Sequence, residues 1–167
     1  RLPGCGPPRR ACRLARPVAH RASDELDRPA FAPSRVLSHM PMAMTAHVVY
    51  TAIDPRRPAT TSRKAISEVI RGAIGFDGLV MSDDLSMKAL SGDFRARTRA
   101  SLAAGCDVVL HCNGDMDEMS EIAKACRPLA GRAKRRAEAA LARIARTPEP
   151  FDVAEARARF AAAFEAQ

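Results

Sequence analysis

From about residue 40 the chain alternates between short apolar runs and stretches whose apolar residues recur every three or four positions. That alternation predicts βα units around a parallel sheet, an α/β fold. Met42 to Val49 predicts a buried strand. Pro58 to Gly75 predicts a helix with Thr61 or Ser62 as N-cap, a stripe of Ile66, Val69, Ile70 and Ile74, and Gly75 as C-cap. Leu79 to Met81 predicts the next strand, and Asp93 to Ala104 a helix closed by Gly105. Asp107 to Cys112 predicts a third strand, running into the Asn113-Gly114 turn. Further helices are expected from about Asp117 to Cys126, with Met119 and Ile122 on one face, and over 131–145 and 152–165, with Pro148 and Pro150 breaking the chain between the last two. Periodicity leaves open whether the sheet is an open doubly wound one or a slice of a (β/α)8 barrel. In both, chemistry belongs at the carboxyl ends of the strands.

The pair Asp83-Asp84 follows directly on the Leu79 to Met81 run, at such an end. A carboxylate there can serve as a base, a metal ligand or a nucleophile, or it can cap the following turn. Adjacent residues of an extended segment face opposite ways, so one of the two is expected to address a substrate and the other to hold structure. His47, near the carboxyl end of its own strand, is a candidate substrate-binding residue or a hydrogen-bonded core histidine. His111 and Cys112 are adjacent but lack partners at metal-ligand spacing, so no metal is expected. Glycine spacings that cradle a nucleotide phosphate are missing, and no cofactor is expected.

Composition narrows the partners. The 167 residues are 47% hydrophobic, enough for a core, yet include one Tyr and no Trp, so stacking platforms for single-stranded nucleic acid are scarce. Of the net charge of +8, most comes from residues 1–35, which hold eight Arg against three acids. Six Pro in that stretch preclude a recognition helix, and nucleic acid is not expected as a partner. The five cysteines form no CxxC pair. An odd count without pairing fits a reducing compartment, with Cys106, Cys112 and Cys126 read as small buried residues. No apolar run is long enough to span a membrane, and the expected location is the cytoplasm.

The segment Gly75-Phe-Asp-Gly-Leu-Val-Met-Ser-Asp-Asp-Leu-Ser-Met-Lys-Ala-Leu90 closely resembles the nucleophile region of glycoside hydrolase family 3 β-N-acetylhexosaminidases of the peptidoglycan-recycling type. The resemblance extends upstream through Met44-Thr-Ala-His-Val-Val-Tyr50, Ala52-Ile-Asp-Pro55 and Arg57-Pro-Ala-Thr60, and downstream through Ala103-Ala-Gly-Cys-Asp-Val-Val-Leu110. It implies a (β/α)8 barrel of which this chain is a C-terminal portion. It also implies that Asp83 is the catalytic nucleophile of a retaining double displacement on terminal N-acetylglucosamine of peptidoglycan fragments.

The same resemblance exposes a departure. The family's Lys-His-x-Pro-Gly-His-Gly loop and following Asp-Ser-His, source of the general acid/base, correspond here to Leu2-Pro-Gly-Cys-Gly6 and Ala11-Cys-Arg13. The acid/base His aligns with Arg13, its Asp partner with Ala11, and the second His of the first motif with Cys5. Arginine does not give up its proton at neutral pH, so impaired turnover is expected, and a catalytically inactive sugar- or partner-binding remnant is the alternative. The expected organisation is a degraded or misread catalytic-loop region over 1–35, βα units of a partial barrel over 36–147, and a helical tail over 148–167. The first half of the barrel is expected to be absent.

Overall fold

The computed structural model describes residues 17–19, 31–144 and 149–165. The expectations for Cys5, Ala11, Arg13 and Pro148 lie outside the described residues. Among the described residues there are five short strands: β1 (Val18–Ala19), β2 (Met42–Met44), β3 (Val49–Tyr50), β4 (Leu79–Asp84) and β5 (Val108–Leu110). Every pairing is parallel, β1 with β3, β2 with β4, and β4 with β5. Because β2 and β3 lie on one stretch of chain, the order is an arc that follows the sequence. The described residues form part of a βα arc and no closed barrel.

The single strand expected over Met42 to Val49 is two. Met42–Met44 runs beside β4, Thr45 N–H still reaches the Met81 carbonyl at 2.9 Å, and Val49–Tyr50 then pairs with β1. Between them Ala46, His47 and Val48 are buried off the ladder. Their apolar run reads as continuous strand, but Thr45 and His47 instead point hydroxyl and imidazole at Thr60.

The helices expected from Pro58 onward are present. A short α1 (Ala32–Val36), an addition that the sequence pattern does not predict, precedes β2, and a 3-10 turn (Ala59–Thr61) leads into a π-helix (Ala65–Ala73) whose wider winding ends with Ile74 N–H on the Val69 carbonyl at 2.8 Å. Ser62 starts it by accepting from Ala65 N–H at 3.2 Å, and Ile66, Val69, Ile70 and Ile74 are all buried. Helix α2 (Phe94–Ala104) begins at Asp93, whose carboxylate accepts from Ala96 N–H at 2.7 Å. It ends at Gly105 with φ +117°, where a Cβ would come 3.0 Å from Ile66 Cγ2, so both conformation and packing demand glycine. Helices α3 (Met116–Ala125), α4 (Gly131–Ala142) and α5 (Val153–Glu165) follow, α3 capped by Asp115. Ile122 on α3 is buried, whereas Met119, expected beside it, is exposed.

The main core joins the π-helix stripe to Val80, Phe76, Met87, Ala104 and Cys106. A second cluster of Leu85, Leu90 and Ile122 seats the loop after β4 against α3. Of the three cysteines expected to be buried, Cys106 is, while Cys112 and Cys126 are exposed, the one in the loop past β5 and the other at the C-cap of α3. Among the described residues no helix is long and apolar enough to cross a membrane.

Candidate active site

Asp83 stands at the carboxyl end of β4, at an irregularity the sequence does not announce. Met81 pairs with Val108 and Asp84 with Leu110, so β4 carries one more residue than β5 between those pairs. This is a β-bulge spanning Ser82 and Asp83, a device that re-aims side chains at functional sites. The Ser82 hydroxyl oxygen accepts from Leu110 N–H at 2.9 Å, bonding a β5 amide beside the irregular stretch. Ser82 has no exposed surface and Asp83 only 4%.

The two neighbouring carboxylates do different work. Asp83 Oδ1 accepts from the backbone N–H of Asp84 at 3.0 Å. Asp84 is bound within its own turn: Oδ1 accepts from Ser86 N–H at 3.0 Å and from Cys112 N–H at 3.2 Å, and Oδ2 from the Ser86 hydroxyl at 2.6 Å. Burial alone would raise the Asp84 pKa, but the Ser86 and Cys112 hydrogen bonds and the nearby His111 outweigh it and hold the carboxyl below its usual value. Asp84 is thus a bracket between β4, its following turn and the end of β5. The turn is fixed further by Arg97, whose Nη1 donates to the Leu85 carbonyl at 2.7 Å while its guanidinium lies 5.4 Å from the Phe94 ring.

His47, the candidate substrate contact, is fully buried and both ring nitrogens are engaged. Nε2 lies 2.9 Å from the Asp84 carbonyl and Nδ1 2.8 Å from Thr60 Oγ1, which is itself 2.8 Å from Thr45 Oγ1. Of the two readings offered for this residue, the geometry is that of the hydrogen-bonded core histidine, because the polypeptide encloses the ring on all sides. Burial pushes its pKa down, more than the Asp84 carbonyl and the charges of Asp83 and Asp84 pull it up, and Arg97 adds to the lowering. A carbonyl can only accept, so Nε2 carries the proton, and in the neutral ring Nδ1 accepts from Thr60.

His111 and Cys112, the other chemistry-bearing pair, take no joint part. The His111 ring binds Glu118 Oε2 through Nε2 at 2.6 Å and packs edge-on to Phe94, on the side of α2 and α3. Among the described residues no group of three or more His, Cys, Asp or Glu side chains is placed to hold a metal ion. A cavity of about 390 Å³ lies at the opposite, amino ends of β2 and β4, between Met40, Pro41, Gly78 and Arg136, well removed from Asp83. Inspection of the sequence for site residues misses Ser82, Thr60 and Thr45, whose roles depend on partners far along the chain. The only signal for the two threonines is that they fall inside the segments carrying the family resemblance.

The chain is similar to known proteins over much of its length. The family described as "Glycosyl hydrolase family 3 N terminal domain" matches residues 10–147. A β-hexosaminidase of Alkalilimnicola ehrlichii is 45% identical over 116 residues, 67% of this chain and 33% of that protein. A β-hexosaminidase of Bordetella avium is 51% identical over 76 residues, 44% of this chain and 21% of that protein. The crystal structure of NagZ from Neisseria gonorrhoeae in complex with N-trifluoroacetyl-D-glucosamine superposes with a TM-score of 0.66 at 35% identity, covering 76% of this chain and 37% of that one. The chain therefore spans a fifth to a third of the curated relatives it matches. With a family match over most of its length and the same βα arc as the solved relatives, the chain belongs to glycosyl hydrolase family 3.

Proposed function

We propose that this chain carries the nucleophile of a cytoplasmic β-N-acetylhexosaminidase that removes terminal non-reducing N-acetylglucosamine from peptidoglycan fragments with retention of configuration. The observation that carries the reading is Asp83, a nearly buried carboxylate at the bulged carboxyl end of β4 whose neighbour Asp84 is committed to holding the turn. In this reading an Asp83 oxygen attacks the anomeric carbon, the bond to the leaving-group oxygen breaks, and a glycosyl ester forms. Water then cleaves the ester and restores the carboxylate. Neither a metal nor a cofactor enters the scheme. Support comes from the β-hexosaminidase relatives and from the sugar analogue bound by the gonococcal NagZ.

Departure of the leaving group needs a proton, and Arg13 and Ala11 stand where the family's acid/base pair would be. We therefore propose slow turnover of unactivated glycosides by the chain as it stands. That substitution is also what favours the second reading, a sugar-binding remnant without catalysis.

The test is active-site labelling. A fluorinated N-acetylglucosaminyl fluoride, whose leaving group needs little acid assistance, should add one sugar mass to the peptide containing residues 75–90, on Asp83. Asp83→Asn should abolish the label with an unchanged circular dichroism spectrum, because the amide is nearly isosteric but cannot form the ester. A label on Asp84 would overturn the residue assignment. Saturable sugar binding without any label would favour the remnant.

A further inference from the structure

The backbone of Asp84 is held on both sides: its N–H donates to the Asp83 carboxylate at 3.0 Å, and its carbonyl accepts from His47 Nε2 at 2.9 Å. We infer that His47 is a positioning residue for the nucleophile, fixing through the Asp84 peptide the orientation of the Asp83 carboxylate; the inference rests on the reading of Asp83 as nucleophile.

The reasons lie in the order of the contacts. At the bulge the regular ladder that would fix this stretch is interrupted, since β4 has an unmatched residue between Met81 and Asp84. Past the bulge the strand end is tied on its β5 side by Leu85 N–H to the Leu110 carbonyl at 2.9 Å and by Cys112 N–H to Asp84 Oδ1 at 3.2 Å, which leaves its β2 side to other bonds. Met87 N–H reaches the Asp84 carbonyl at 3.2 Å, but Met87 belongs to the same turn and moves with it. His47 comes from a segment 37 residues earlier, anchored in the adjacent strand region, and so references the turn to the body of the sheet. The imidazole is itself set by Thr60 and Thr45, both fully buried, which leave its ring a single donor direction. An imidazole with no exposed surface, supplied with a proton acceptor on one side and a hydroxyl on the other, has one compatible neutral tautomer. It therefore acts as a rigid strut rather than as an acid, a base or a sugar contact.

The test compares labelling rates with the same fluorinated N-acetylglucosaminyl fluoride, measured by intact-protein mass spectrometry. His47→Phe keeps the ring and loses the N–H. It should lower the maximal labelling rate of Asp83 roughly 10- to 100-fold, the scale of a misplaced reacting group, with a smaller change in the probe concentration giving half that rate. His47→Gln, which can present an amide N–H to the Asp84 carbonyl, should restore most of the rate. Ile70→Val, a core truncation away from Asp84, controls for lost stability and should label at the unaltered rate. If His47→Phe labels Asp83 as fast as the unaltered protein, or if Ile70→Val slows labelling as much, the positioning role is overturned while the nucleophile reading stands. If the unaltered protein does not label on Asp83 at all, the nucleophile reading fails and this inference falls with it.

Discussion

At the scale of single residues, His47 is the side chain whose chemistry and environment are most at odds. An imidazole ordinarily titrates near 6.5, yet here burial lowers that value in the folded chain. Between the lowered folded value and 6.5, the unfolded chain binds a proton that the folded chain refuses. The contribution is thus fully present above the unfolded value and is lost as pH falls from there toward the folded one. The groups facing the ring act in both directions, Asp83 and Asp84 favouring the charged form and Arg97 opposing it. We expect the thermal midpoint to drop between about pH 7.5 and about pH 5.5, and the drop to shrink in His47→Gln, which has no proton to gain. Equal pH dependence in the two proteins would mean that His47 does not control this window. Asp84 contributes at lower pH, since its depressed value makes it lose stability only as pH falls below 3.8.

At the scale of elements, the amino ends of the strands are held by one buried carboxylate. Asp107 Oδ2 accepts from Val80 N–H at 2.8 Å and from Arg71 Nη2 at 2.7 Å, and Oδ1 accepts from Arg136 Nη1 at 3.1 Å. A side chain just past α2 thereby ties β4, the π-helix and α4 together with only 6% of its surface exposed. Arg71 also donates to the Phe76 and Gly78 carbonyls, fixing the turn into β4. Asp107→Asn keeps the shape and removes the charge between two guanidinium groups. Breaking a buried pair from one side costs roughly 3–5 kcal/mol, and we expect a loss of that order in urea unfolding at neutral pH. A loss below about 1 kcal/mol, the size of an exposed pair, would show that Arg71 and Arg136 find other partners. At the same end of α2, Gly105→Ala should also destabilise, because φ +117° and the approach to Ile66 both oppose a Cβ.

At the scale of the whole molecule, the common direction of the parallel strands places the nucleophile candidate at their carboxyl ends and the ion network at their amino ends, so stability and chemistry are separable. The proposed chemistry is incomplete in one respect, the proton donor. General acid catalysis is worth roughly 10² to 10⁴-fold and matters least when the departing oxygen is a weak base. We therefore expect the protein to hydrolyse a dinitrophenyl β-N-acetylglucosaminide measurably and an unactivated disaccharide far more slowly. Initial rates on the two substrates measure this, and comparable rates would mean that an acid outside the Ala11-to-Arg13 stretch is at work.

The sequence by itself determined the helices and parallel strands from Pro58 onward and their order, but neither β1 nor α1. Ile66, Val69, Ile70 and Ile74 mark a helix face, Asp93 and Gly105 mark the ends of another helix, and the apolar runs mark parallel strands, because these signals are local and repeat with the period of the structure. It also determined the family and the candidate nucleophile, because the Gly75 to Leu90 segment is contiguous. Only the tertiary structure decided that the run from Met42 to Val49 changes partners midway, that β4 bulges at Ser82 and Asp83, and that His47 is enclosed rather than open to a ligand. Those outcomes depend on hydrogen-bond partners 13 to 37 residues away, Thr60, Leu110 and the Asp84 carbonyl. A pattern of polar and apolar residues records which face a side chain prefers, but not which distant group will meet it there.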